Sequence, residues 1–143
     1  MAVILVVDDE QVDRELIRDI LQRAGHIVLE ADCYAQAVEI FHRHSRQVDL
    51  LVADVAMPEK NGCELAKQLL GSHPELGVLF VSGFVGAEVC KQYGIPVSDI
   101  HFLSKPFVGR DLSARVAEII NSPRTSPFTL PSRRRDDNSQ TCP

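Results

Sequence analysis

The chain has 143 residues, 45% of them hydrophobic, and a mean hydropathy of −0.02, which suits one globular domain with a real core. Its formal charge of −5 argues against a domain that binds nucleic acid. No apolar run approaches the roughly 18 residues of a membrane span. No basic leader precedes the first strand, and the four cysteines show no zinc-ligand spacing. We therefore expect a cytoplasmic protein with reduced thiols that contacts neither membrane nor nucleic acid directly.

Residues 122–143 differ in composition from the rest of the chain. They hold four of the eight prolines, together with four Arg and two Asp, so their net charge is +2. Residues 1–121 then carry −7, which is −5 minus +2. This contrast predicts a folded domain over 1–121 and a disordered tail rich in Pro, Ser and Arg over 122–143.

Short apolar runs alternate with helix-like stretches along residues 1–121. Strands are predicted over 2–7, 26–31, 50–53, 77–82 and 100–103. Helices are predicted between them, at 35–44, near 63–70 and at 87–93, with one helix after the first strand and one at the end. The first and last helices carry apolar stripes (Leu16, Ile17, Ile20, Leu21 and Leu112, Val116, Ile119, Ile120). This alternation predicts an α/β fold with a five-stranded parallel sheet and helices on both faces.

Polar residues collect where the predicted strands end. Asp8 and Asp9 follow the first strand, Asp54 the third and Lys105 the fifth, and Ser82 ends the fourth. In parallel sheets the functional crevice lies outside these carboxyl ends. Three carboxylates in one cleft repel one another by about 1–4 kcal/mol for each close pair, so a cation is expected. The oxygen ligands favour Mg²⁺, to which the backbone carbonyl of Ala56 could add a ligand.

Five motifs then resemble the receiver domain of two-component response regulators over residues 1 to 121. They are Asp8-Asp9, Asp54-x-x-Met57-Pro58, the following Gly62, Ser82-Gly83 and Lys105-Pro106-Phe107. The resemblance implies a flavodoxin-like, doubly wound (βα)5 fold with strand order 2-1-3-4-5. It also implies that Asp54 is phosphorylated by a phosphohistidine of a histidine kinase or histidine phosphotransfer protein.

The resemblance assigns a role to each matching residue. Asp8 and Asp9 hold Mg²⁺ with Asp54, Ser82 and Lys105 bind the phosphoryl group, and Phe102 swings inward as Ser82 moves. A cis peptide bond is expected before Pro106. The surface that signals to a downstream protein is the helix at 87–93, the fifth strand and the last helix, including the residues Val89, Tyr93, Phe102 and Arg110.

Several alternatives remain open from the sequence. The chain is either a stand-alone receiver or a piece of a longer protein. Ala56 has no polar side chain to orient water, so we expect a phosphoacceptor switch with slow autodephosphorylation rather than an enzyme. An unphosphorylated docking module is the main competing function. A Mg²⁺-dependent aspartyl phosphatase is a weaker one, since Glu10 lies two residues after Asp8 but no acid follows Asp54 at that spacing.

Overall fold

The computed structural model of the protein describes residues 1–44, 47–83, 88–89, 92 and 101–121. Within them lie β1 (Val3–Val7), α1 (Gln11–Arg23), β2 (Ile27–Ala31), α2 (Tyr34–Arg43), β3 (Leu50–Ala53), α3 (Gly62–Ser72), β4 (Gly77–Ser82), β5 (Phe102–Ser104) and α4 (Gly109–Asn121). Most of the helix predicted over 87–93, including Tyr93, lies outside the described residues, and so does the tail predicted over 122–143.

The five strands form one parallel sheet in the order β2-β1-β3-β4-β5. This confirms the predicted doubly wound, flavodoxin-like fold. β3 and β4 lie inside the sheet and every residue in them is buried, which is why both read as unbroken apolar runs. The order reverses next to β1, so the crevice expected of such a sheet lies at the carboxyl ends of β1 and β3.

Alternate side chains of the central strands enter two separate cores. In β1, Leu5 and Val7 join the core that also holds residues of α2 and α3, whereas Ile4 and Val6 join the core that holds residues of α1 and α4. This follows from the two-residue period of a strand. The centre of the sheet is therefore covered on both faces, whereas the edge strands β2 and β5 are partly exposed.

Local signals explain where the helices begin and end. Asn61 caps α3, because its side chain accepts from the Glu64 N–H while the Glu64 carboxylate accepts from the Asn61 N–H, both at 2.9 Å. At the end of α1, Gly25 has a φ of 94°. Its N–H donates to Gln22 and that of His26 donates to Leu21, which closes the helix in a Schellman motif.

Two details of the prediction are wrong. The sequence predicts the fifth strand at 100–103, but the strand spans Phe102–Ser104 and His101 lies before it. It is a short edge strand whose residues are only partly buried, so its apolar pattern is weak. Leu16 does not face the core: it is 48% exposed, because α1 turns only Ile17 and Leu21 fully onto the sheet.

Candidate functional site

The carboxyl ends of four neighbouring strands bring the predicted polar residues together. Asp8 follows β1, Asp54 follows β3, Ser82 ends β4 and Lys105 follows β5. Parallel pairing continues past the strands, since the Asp54 N–H donates to the Val7 carbonyl at 3.0 Å. In the same way the Lys105 N–H donates to the Ser82 carbonyl at 2.9 Å. The backbone itself thus places these residues side by side.

Asp54 lies at the centre of this cleft and is only 7% exposed. Its Oδ1 accepts hydrogen bonds from the Ser82 hydroxyl at 2.5 Å and from the Ala56 N–H at 3.0 Å. Its Oδ2 accepts from Lys105 Nζ at 2.9 Å. Both oxygens of this buried carboxylate are therefore satisfied, and donors that could stabilise additional negative charge already surround it.

Lys105 joins carboxylates from three parts of the fold. Its Nζ lies 2.9 Å from an oxygen of each of Asp8, Asp13 and Asp54. Burial lowers the pKa of Lys105, but hydrogen bonds to Asp13, Asp54 and Asp8 outweigh it, so the pKa is raised well above its ordinary value. The ammonium group therefore remains charged throughout the physiological range of pH.

Asp8 and Asp9 differ sharply in exposure. Asp8 is 1% exposed, whereas Asp9 faces solvent. Burial raises the pKa of Asp8, although hydrogen bonds from the Glu10 N–H and from Lys105 lower it in part. Arg14 fixes the same loop from α1, since its Nη1 donates to the backbone carbonyl of Asp8 at 2.9 Å. The buried acid is thus held rigidly and the exposed one stays accessible.

The carboxylates of Asp8, Asp9 and Asp54 form a donor set for a divalent cation. One oxygen from each lies within 4.8 Å of the other two. All three are hard oxygen ligands, one of them open to water, and this fits Mg²⁺, which retains several waters in protein sites. The three residues predicted to share a metal ion are therefore brought together by the fold.

Comparison with known proteins decides the family. Residues 4–117 match the family model described as the response regulator receiver domain. This chain belongs to that family. The receiver protein CpdR of Brucella abortus is 32% identical over 118 residues, which cover 82% of this chain and 95% of CpdR. A crystal structure of a receiver domain protein from Clostridium thermocellum superimposes with a TM-score of 0.73 at 27% identity, covering 85% of this chain and 95% of that one.

Some relatives are much longer than this receiver domain. The sensor kinase CckA of Brucella abortus is 36% identical over 120 residues, which are 83% of this chain but 12% of the kinase. The chain spans about half the length of several transcriptional regulatory proteins that it matches. In the described part of this chain, none of the helices has the length and apolar character needed to cross a bilayer.

Gly62 lets the receiver domain bring α3 directly against Asp54. A Cβ at this position would overlap the backbone carbonyl oxygen of Asp54 and would lie 3.0 Å from the Cα of Val55. The Gly62 N–H donates to the Val55 carbonyl at 2.9 Å, which locks the approach. Glycine is thus required at this position because there is no room for a side chain, and not because of an unusual φ.

The remaining predicted residues occupy positions around the cleft. Phe102 is half-buried and packs against the core that contains Phe80, as Val89 also does. Arg115 Nη1 donates to the Phe102 carbonyl at 2.9 Å and ties β5 to α4. The peptide bond between Lys105 and Pro106 is cis, as expected. Ala56 contributes its N–H to Asp54, and a metal-binding role for its carbonyl stays a prediction.

Sequence reasoning missed two residues of the receiver cleft, Asp13 and Arg14. Both lie in the first turns of α1, where Asp13 contacts Lys105 and Arg14 binds the Asp8 carbonyl. Since α1 begins only two residues after Asp9, its first turn must lie beside the same sheet edge. That short connection was the signal in the sequence that could have indicated both residues.

Proposed function

We propose that this receiver domain accepts a phosphoryl group on Asp54 from a phosphohistidine of a histidine kinase or histidine phosphotransfer protein. One observation carries the proposal: Asp54 has Ser82 and Ala56 on one oxygen and Lys105 on the other, beside the acids Asp8 and Asp9. Such an arrangement stabilises charge that develops on a transferred group, which is the main task of a protein in phosphoryl transfer.

The transfer itself needs little covalent chemistry from the protein. An Asp54 oxygen attacks phosphorus, an O–P bond forms, the P–N bond to the donor histidine breaks, and the imidazole leaves with the bond's electron pair. The Ser82 hydroxyl and the Lys105 ammonium group can then turn from the Asp54 oxygens to the new phosphoryl oxygens. Because the Asp54 carboxylate carries one negative charge and the acyl phosphate that replaces it carries about two, now on the phosphoryl oxygens, these two donors become the natural partners of the modified residue.

Asp8, Asp9 and Asp54 would hold Mg²⁺, with the Ala56 carbonyl as a further ligand. When bound, the ion supplies positive charge that neutralises phosphoryl oxygens. The domain is proposed to act as a phosphoacceptor and not as a turnover enzyme. A hydrolase would also need a group to activate water, and Ala56 supplies none beside the acceptor, which supports slow loss of the phosphoryl group.

The test uses intact-mass measurement after incubation with acetyl phosphate. With Mg²⁺ the protein should gain one base-labile phosphoryl adduct, and without Mg²⁺ it should gain none. In Asp9→Asn the Mg²⁺ concentration for half-maximal adduct formation should rise about tenfold, because one of three charged ligands is lost. Asp32→Asn is the matched control: Asp32 is an exposed acid directly after β2, and it does not belong to the acid cluster.

The opposite result would favour the competing docking module. Wild-type protein that gains no adduct from acetyl phosphate or from a phosphorylated histidine kinase, and that binds no Mg²⁺ by calorimetry, contradicts the proposed phosphotransfer. An adduct that forms equally well with a chelator present contradicts the metal requirement alone.

The signalling surface is proposed to be β5, α4 and the segment 87–93. Phe102 connects this surface to the interior, since Phe102 and Val89 both pack against the same core cluster. Arg115 transmits a movement of β5 to α4 through its hydrogen bond to the Phe102 carbonyl, and Arg110 is exposed on α4. A shift of Ser82 toward the phosphoryl group would therefore reach a face that a downstream protein can bind.

An apolar strip beside the cleft supports docking of the phosphohistidine partner. Val12 is 78% exposed and Leu16, one turn further along α1, is 48% exposed. Val108 is 56% exposed, and it directly precedes Gly109, which lies against Ile20 of α1. Such a strip next to a buried acceptor suits the apolar side of a partner helix.

Leu16→Glu should therefore slow phosphotransfer from a histidine kinase about fivefold, the effect of losing roughly 1 kcal/mol of docking energy. Labelling by acetyl phosphate should stay unchanged, because that donor needs no docking surface. Ile27→Glu is the control, since Ile27 is 45% exposed at the opposite end of the sheet. Equal slowing with both donors would show that the substitution had damaged the cleft instead.

A further inference from the structure

Asp13 is a fourth carboxylate at the cleft and lies outside the group of acids that could share a metal ion. It belongs to the first turn of α1, its side chain is 37% exposed, and its Oδ2 accepts from Lys105 Nζ at 2.9 Å. The acids whose oxygens converge for a cation are Asp8, Asp9 and Asp54. Asp13 therefore acts on the cleft through Lys105.

The partners of Lys105 are shared with the proposed metal. A lysine ammonium group has three N–H donors, and here the three accepting carboxylates are those of Asp8, Asp13 and Asp54, each at 2.9 Å. Two of these acids are also expected to hold Mg²⁺. The ammonium group and the divalent cation thus compete for Asp8 and Asp54, whereas Asp13 is not among the expected metal ligands.

We propose that Asp13 is a positioning residue that anchors Lys105 on the α1 side of the cleft, so that Mg²⁺ binds to Asp8 and Asp54 without opposition from the ammonium group. This inference rests on the proposed function. Without Asp13, the carboxylates left to bind the Lys105 ammonium group are those of Asp8 and Asp54, which the metal also needs. Lys105 then opposes Mg²⁺ more strongly, and it also lacks a fixed point from which to reach a phosphoryl oxygen.

The test is a double-mutant cycle on Mg²⁺ affinity, measured by calorimetry at constant ionic strength. Asp13→Asn should raise the Mg²⁺ Kd about three- to tenfold, a usual range for groups in direct contact. In the Lys105→Met background the same substitution should change the Kd less than about twofold. Asp13→Glu, which restores the carboxylate, should bring the Kd back toward the wild-type value.

Asp19→Asn separates this anchoring from a general effect of charge. Asp19 is also on α1, and it pairs with Arg18 and not with Lys105. Its removal changes net charge equally and should leave the Kd unchanged. An unchanged Kd in Asp13→Asn overturns the inference, and so does the same increase in the wild-type and Lys105→Met backgrounds. Adduct formation by the wild-type protein tests the proposed function separately, so the two can fail independently.

Discussion

Replacing Asp54 by Asn should abolish the phosphoryl adduct completely. The carboxamide fills the same buried space but offers no anionic oxygen to attack phosphorus. The hydrogen bonds from Ser82 and the Ala56 N–H both reach Oδ1, so they can survive in the variant and the fold should be kept. Intact mass after treatment with acetyl phosphate and Mg²⁺ measures the loss directly, with circular dichroism to check folding.

Asp32→Asn is again the matched control, and it should be labelled like the wild-type protein. Both residues directly follow a strand of the sheet, but Asp32 follows the edge strand β2 and is exposed, whereas Asp54 is 7% exposed. A folded Asp54→Asn protein that still gained one base-labile phosphoryl group would place the acceptor elsewhere, with Asp8 the first residue to examine.

Gly62→Ala should destabilise the domain by about 3 kcal/mol, the upper part of the range for forcing an extra methyl into a packed site. The added Cβ would overlap the Asp54 carbonyl oxygen, and the atoms it meets are backbone atoms that cannot rotate away. To relieve the overlap, α3 and the end of β3 must separate, which also displaces the Asp54 carboxylate. Urea denaturation should show the lost stability, and acetyl phosphate should label the surviving folded protein more slowly.

Gly71→Ala provides the comparison within the same helix. Gly71 lies near the end of α3, and nothing lies within 4 Å of a Cβ placed there. Alanine at this position should stabilise the helix by about 1 kcal/mol through its better helix propensity. If both substitutions stabilised the domain, helix propensity would explain Gly62 better than its contact with Asp54 does.

The parts of the fold that the sequence predicted best are those buried on both faces. β3 and β4 have unbroken apolar runs, and the structure places both strands where those runs lie. The edge strand β5 has only three residues, all partly exposed, so its boundary could not be read from hydrophobicity. Leu16 shows the same limit on a helix: an apolar residue at helical spacing can lie on the exposed face instead of in the core.

The sequence predicted those residues of the candidate site that lie at the ends of strands. Asp8, Asp54, Ser82 and Lys105 all follow or end strands, and a parallel sheet must bring those ends to one edge. Asp13 could not be assigned in this way, because its contact with Lys105 depends on where α1 begins and on how it leans over the sheet. The arrangement of three carboxylates around the Lys105 ammonium group likewise depends on the tertiary structure and could not be predicted from the sequence.

The ammonium group of Lys105 also has a consequence for how the chain folds. Its contacts with Asp8, Asp13 and Asp54 span 97, 92 and 51 residues of sequence. Contacts that close such long loops form late, because the entropy of closure must be overcome by the rest of the sheet. During synthesis from the N-terminus, the acids of the cleft emerge well before this cation. The cleft should therefore reach its charge balance only when β5 pairs with β4, so a partly folded chain does not present the phosphoacceptor in its active surroundings.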